Sequence, residues 1–334
     1  MAGGRIGWID GVRALGASSI VLLHVLISTA LVRDMDVAHQ LAYSAVGIVL
    51  CRWAVPGFFM ISGLLLLDPA HKLGWPKALR HAGRMAGVLA TFGLAFALME
   101  ETKCQLDAGL SITPELLLWA IRDVLCMATW DHLWYVYALM GVYLLAPLLR
   151  ALRDRVGEWG FAALTLVLFV GTMVVPTLLQ LSVPNIAVGL SCFCAGGCLR
   201  KLRLCPLVLI AGLCSLATML AVSWRGILAG EGDQGYIFLQ GSCFACAYAV
   251  LVLALFKRAF GDKPLSSAAL DLLAQDSFGI YIIHPLFVHI ALMVLNPDAW
   301  PPVLFELGLF ALALVASLAS TRLLRHVPLV KSLI

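Results

Sequence analysis

A chain of 334 residues that is 62% hydrophobic and only 13% charged, with a mean hydropathy of +0.96, cannot cover a water-exposed surface, because soluble domains carry about a quarter charged residues. That excludes a soluble enzyme, a nucleic-acid binder and a disordered scaffold, and it leaves an all-α, polytopic membrane helix bundle in a lipid bilayer. The formal charge of +4 is small, so the placement of the charges says more than their sum.

A spanning helix needs about 20 mostly apolar residues. Apolar runs between polar breaks predict ten spans, near 8–32, 40–67, 83–99, 132–149, 159–180, 184–199, 205–223, 236–256, 270–294 and 302–324. The first run ends near a signal-like Ser28-Thr29-Ala30, but it is long for a signal core and contains Asp10, Arg13 and His24. It is expected to be a retained helix. Between the third and fourth runs, residues 100–131 form a net acidic outer loop, in which the amphipathic stretch 113–129 predicts an interfacial or re-entrant helix. No internal repeat is visible, and a single membrane domain is expected over 1–334.

Of the 23 Lys and Arg residues, seventeen fall in one set of alternate loops, around Arg5, Lys72 to Arg84, Arg150 to Arg155, Arg200 to Arg203, Lys257 to Lys263 and Arg322 to Lys331. Four fall in the other set: Arg33, Lys103, Arg122 and Arg225. Positive residues resist translocation, so both termini are expected in the cytoplasm. Most of the ten cysteines sit within or beside spans, as small packing residues do. They are too scattered for a thiolate metal site, and no metal is expected. Cys104 and Cys126 share the outer segment, and whether they pair is left open.

Arg13 and Arg52 have no topological reason to lie inside spans, and ionisable groups there are functional candidates by default. Arg13 and His24 lie eleven residues apart on the first span, hence on one face and about 16 Å apart along it. Asp10 joins that face one turn earlier and is placed to orient Arg13. Arg52 precedes Val55-Pro56-Gly57-Phe58-Phe59-Met60-Ile61-Ser62-Gly63, where the Pro-Gly pair is expected to break the helix. In the ninth span, Tyr281 and His284 share a face within Phe278-Gly279-Ile280-Tyr281-Ile282-Ile283-His284-Pro285, and His284 is expected at a depth comparable with His24. Arg80 and Arg84 are one turn apart at the cytoplasmic start of the third span. They suit a phosphate as well as they suit the positive-inside rule. Asp131-His132-Leu133-Trp134-Tyr135 opens the fourth span on the outer side, as an aromatic belt or a sugar-stacking surface.

These segments together resemble the acyltransferase-3 family of bacterial integral-membrane O-acyltransferases. The likeness rests on Ile9-Asp10-Gly11-Val12-Arg13-Ala14-Leu15 with His24, on the segment from Val55 to Gly63, on His132-Leu133-Trp134-Tyr135 and on Phe278 to Pro285. It looks closest to the branch containing the enterobacterial common antigen O-acetyltransferase. Where the family often has Arg-x-x-Arg, this chain has Arg80-x3-Arg84.

The resemblance implies transfer of an acyl group, usually acetyl, from cytoplasmic acetyl-CoA or another acyl-CoA to a hydroxyl. The acceptor implied is an envelope glycan or lipid-linked saccharide, at a bacterial inner membrane. Asp10, Arg13, Arg80 and Arg84 would then hold the donor. His24 would act as general base, in preference to a transient acyl carrier, and Arg52, Tyr281 or His284 would stabilise the oxyanion. His132, Trp134, Tyr135 and Ser62 would contact the acceptor. A secondary transporter, or a ligand-sensing membrane module, would use the same intramembrane Arg and His residues differently.

Overall fold

Long apolar runs with few breakers dictate helices, and helices are the only regular structure in the computed structural model, which describes residues 6–70, 73–179, 181, 183–230 and 242–334. Arg5, Lys72 and the first residues of the span predicted over 236–256 lie outside the described residues. Seven helices among the described residues are long and apolar enough to cross a membrane. The protein is an all-α, polytopic membrane-spanning bundle.

Helix α1 (Gly7–Val32) is apolar on nearly every face and packs mainly against α12 (Ala268–Val294), with α3 (Ala54–Leu66), α11 (Cys243–Phe260) and α13 (Pro302–Leu324) around it. A helix that is hydrophobic all round belongs at the centre of a bundle, so the Arg13–His24 face is turned toward protein rather than lipid.

The segment expected as one span over 40–67 is built in pieces. Helix α2 (Val37–Tyr43) runs into a π-helical stretch at Ser44–Leu50, turns at residues 51–53 and restarts as α3. The break therefore precedes Pro56-Gly57 instead of falling on it. Pro56 sits in the first turn of α3, where a missing N–H costs nothing, and Gly57 N still donates to Trp53 O at 2.8 Å. The displaced break puts Arg52 in the turn, buried, rather than on a continuous helix.

α3 crosses α9 (Asn185–Cys198) with the backbones nearly touching. A Cβ at Gly63 would overlap the Phe193 carbonyl, and one at Gly196 would overlap the Met60 carbonyl. Such close approach is how helices associate where lipid removes the hydrophobic drive. The carbonyl of Leu67, the C-cap residue of α3, accepts from Arg153 Nη1 at 2.5 Å and Arg150 Nη1 at 3.1 Å. Two arginines expected only to set topology thus also cap a helix.

Helices α4 (Trp75–Val88) and α5 (Leu94–Asp107) are joined through a π-helical stretch, and α6 (Glu115–Leu125) lies within the segment 113–129. Helix α7 (Trp134–Phe169) contains Gly157 at φ 75°, a left-handed conformation that glycine adopts without strain. It is followed by α8 (Val175–Leu179). Helix α10 (Pro206–Leu228) precedes α11, and α14 (Pro328–Lys331) closes the described chain. The ten cysteines are free thiols; Cys104 and Cys126 are exposed, and Cys192 and Cys246 meet in the core with their sulfurs 3.6 Å apart.

Candidate functional site: a histidine centre beside an arginine-lined cavity

The packing of α1 on α12 brings together two histidines that are 260 residues apart in sequence: His24 Nδ1 lies 2.6 Å from His284 Nε2. Their rings are nearly parallel, 6° apart, with centroids 4.9 Å apart. Hydrogen bonding assigns the protons. His284 Nδ1 lies 3.0 Å from the Ile280 carbonyl, which only accepts, so Nδ1 carries the hydrogen. With both rings neutral, His284 Nε2 is then the acceptor and His24 Nδ1–H the donor. His24 Nε2 is left as the free lone pair of the pair.

A third imidazole closes the group. His132 is buried, with its ring edge-on to His24 at 6.3 Å and to His284 at 5.9 Å. Its Nε2–H donates to Ile282 O at 3.2 Å, and its own carbonyl accepts from the Tyr281 hydroxyl. Arg52 approaches closely enough for its charge to act on His24.

At the N-terminal end of α1 a cavity of about 330 Å³ opens between α1, α3, α4, α7 and α12. Asp10, Arg13, Arg84 and Gln275 line it together with Ser62 and Tyr143, and its wall continues through Ile20, Val55, Tyr135 and Tyr281. Arg13 is held by Asp10 at 3.1 Å, the i, i+3 pairing read from the sequence. Arg84 lays its guanidinium over the Phe278 ring at 5.3 Å and donates from Nε to Leu333 O at 2.8 Å. Neither His24 nor His284 lines this cavity. Tyr281 belongs to both places: it lines the cavity, and its ring lies 6.2 Å from His284 and 5.2 Å from Tyr135. The two tyrosines therefore stand between the arginines and the histidines.

The expected residues divide accordingly. His24, His284 and Tyr281 meet as the shared depth of His24 and His284 suggested, and Asp10, Arg13 and Arg84 share one cavity. Arg80 is exposed and outside that cavity, although it lies one turn from Arg84 on the same helix. The segment His132 to Tyr135 is not an outer aromatic surface. A 3-10 turn at Asp131–Leu133 rotates His132 and Tyr135 into the core, and Trp134 packs edge-on against Tyr135. Tyr135 and Ser62, both expected near the acceptor, line the cavity that Arg13 also lines.

The sequence reading passed over Asp276, which is fully buried in α12 and paired with both Arg322 and Arg325. It also passed over Glu306, paired with His39 at 2.8 Å. Each carboxylate lies within a predicted span, and that alone marks it. Among the described residues no group of three or more His, Cys, Asp or Glu is arranged to hold a metal ion.

A family model described as an acyltransferase domain matches residues 6–322. The chain belongs to the acyltransferase-3 family. No curated protein and no solved structure matches it. Family membership makes this a membrane-embedded acyltransferase-family protein and favours acyl transfer over the transporter and ligand-sensing readings. The match contains the histidine centre and the cavity-lining residues from Asp10 to Tyr281.

Proposed function

We propose that this acyltransferase-3 protein is an O-acyltransferase. It moves an acyl group, acetyl in the simplest case, from acyl-CoA to a hydroxyl of an envelope glycan or lipid-linked saccharide, with His24 as general base. The observation that carries the mechanism is the directed hydrogen-bond chain from His24 through His284 to the Ile280 carbonyl. It leaves His24 Nε2 as the basic atom and holds the opposite nitrogen in place, the orientation a base needs from its partner.

Acyl-CoA suits the cavity because it is an anionic donor with a long, thin arm. Arg13 and Arg84 present fork-shaped donors to phosphate, while Ile20, Val55 and Tyr281 offer a less polar path inward. The thioester has to pass Tyr135 and Tyr281 to reach His24. In the reaction His24 Nε2 takes the proton of the acceptor hydroxyl as its oxygen attacks the thioester carbonyl. The resulting oxyanion is stabilised by Arg52. The C–S bond then breaks, and the leaving thiolate takes the proton back from the imidazolium, which gives an ester and free CoA. The Tyr281 hydroxyl is committed to the His132 carbonyl, so we assign it to positioning rather than to the oxyanion.

We read the arginine end as cytoplasmic, in a bacterial inner membrane, because the positive-inside bias puts Arg84, Arg150 and Arg325 on that side. Residues 131–174 extend for 44 residues, about 66 Å as one helix and twice what a bilayer core needs. We therefore count two crossings meeting at Gly157. With the pieces around α2 and α3 taken as one more crossing and the short helix α9 as another, this supports ten spans. The likeness to the enterobacterial common antigen branch supports an acetyl donor and a saccharide acceptor.

The test is mass spectrometry of envelope glycans from cells with and without the gene, and with the His24→Ala variant. Loss of an acyl mass in the deletion, not restored by His24→Ala at equal protein level, is the expected result. Restoration by His24→Ala would refute the assigned base. To separate the base from an acyl carrier, the purified protein is incubated with acetyl-CoA and no acceptor, and its intact mass is read. It should stay unchanged; a gain of one acetyl group on His24 would favour the carrier.

A further inference from the structure

Behind the wall of the cavity, α12 and α13 carry a cluster with an unbalanced charge. Asp276 is 0% exposed and takes two guanidiniums: Arg322 through Nε, and Arg325 through Nη1 at 2.8 Å. One arginine would neutralise the carboxylate. The second leaves a surplus positive charge, and among the described residues Arg322 Nη2, Arg325 Nε and Asp276 Oδ1 are buried without a hydrogen-bond partner, the Arg325–Asp276 contact being an ion pair only.

A cluster serving only to staple α12 to α13 needs one arginine for its buried carboxylate, and the second adds a charge that the carboxylate does not match. The helices are in any case tightly packed nearby, where Gly279 faces Thr321 so closely that a Cβ would overlap it. The arginines are also not enclosed. Their side chains remain 42% and 30% exposed, so an anion can reach them.

The cluster sits at the arginine end of the cavity. Asp276 lies between Gln275 and Ser277, which both line the cavity, and Arg325 Nη2 donates to Gln275 O at 2.8 Å. Arg325 is near enough to Arg84 for the two like charges to be felt. Two planar guanidiniums held by one carboxylate, with their side chains part-exposed beside a cationic cavity, match a multi-oxygen anion such as phosphate.

We propose that Arg322 and Arg325, oriented by Asp276, bind phosphate at the nucleotide end of the acyl-CoA donor, while Arg13 and Arg84 serve the part that enters the cavity. This rests on the acyl-CoA reading given above. Arg322 and Arg325 are donor-binding residues, and Asp276 is a positioning residue that acts through them. The same chemistry occurs in phospholipid headgroups, so the test separates the two sources.

Purified protein in nanodiscs is assayed with acetyl-CoA and with S-acetyl-pantetheine, which lacks the nucleotide and all its phosphates. For the wild type, the KM of the truncated donor should be higher by about ten-fold or more. Arg322→Gln and Arg325→Gln should each raise the KM for acetyl-CoA about ten-fold, and leave that for S-acetyl-pantetheine within about two-fold, with kcat little changed. Arg325→Lys, which keeps the charge but loses the fork, should fall between wild type and Gln. It remains informative if a Gln variant fails to fold.

An equal rise in KM for both donors would assign the cluster a purely structural role and overturn the proposal. So would a wild type that does not distinguish the two donors. Phospholipid retained by the wild type but lost from Arg322→Gln in native mass spectrometry, with equal KM for acetyl-CoA, would place a lipid headgroup there and overturn it too. A wild type that turns over neither donor overturns the proposed function itself, and this inference with it.

Discussion

Eleven residues separate Arg13 from His24 on α1, and their surroundings have little in common. Around Arg13 the side chains are charged and reach open space: Asp10 and Arg84 line the cavity, with Arg322 and Arg325 close behind its wall. Around His24 the groups are imidazoles and a phenol, packed against one another and tied to backbone carbonyls, with the charge of Arg52 close by. Fixed charge suits holding a polyanion, which needs strength and tolerates water. Proton transfer needs one group whose direction is set, and here the neutral His284 ring sets it, while the Arg52 charge is assigned to the oxyanion. Two tyrosines separate the regions, so each is able to keep its own solvent environment.

The comparison yields effects of graded size. The largest belongs to His24→Ala, which should lower kcat by about 10²- to 10⁴-fold and leave the KM for acetyl-CoA within about two-fold. A large change in KM would break the separation between binding and chemistry. His284→Ala removes the acceptor for His24 Nδ1–H and should cost roughly ten- to a hundred-fold in kcat, the cost of leaving a buried donor unpaired. In His284→Gln an amide oxygen is able to accept that proton, so part of the loss should be recovered. Equal rates for the Ala and Gln variants would show that His284 does not orient His24.

Arg84→Ala should act the other way, raising the KM for acetyl-CoA about ten-fold with kcat nearly unchanged; a matching fall in kcat would connect the two regions. The smallest effect is expected of Tyr281→Phe. It keeps the ring between cavity and centre and loses one hydrogen bond to the His132 carbonyl, worth about 1 kcal/mol. Thermal unfolding in detergent should shift by only a few degrees, with kcat reduced a few-fold. A larger loss of activity than His284→Ala would assign the phenol a direct part in the reaction.

Features that depend on distance along one helix were legible in the sequence. The shared face of Asp10, Arg13 and His24 follows from 100° per residue, and His24 meets His284 because both helices carry their histidine at a similar depth. What depends on tertiary packing was not legible. Pro56 predicts a break, yet the first turn of a helix accepts it, and the chain turns earlier, at Arg52. The aromatic segment after Asp131 reads as a surface belt until a 3-10 turn sends His132 inward. Arg322 and Arg325 read as topology setters because their partner, Asp276, lies 46 residues upstream of Arg322 on another helix.

The central claim is that the cavity delivers an acyl group to a proton relay centred on His24. The most direct measurement incubates the purified protein in liposomes with acetyl-CoA carrying a labelled acetyl group and an envelope saccharide extract, followed by mass spectrometry of both products. Labelled O-acetyl ester on the saccharide, formed together with an equal amount of free CoA and absent with His24→Ala, is the predicted result. Label transferred at the wild-type rate by His24→Ala, or no transfer by a wild type shown to bind acetyl-CoA, would contradict it.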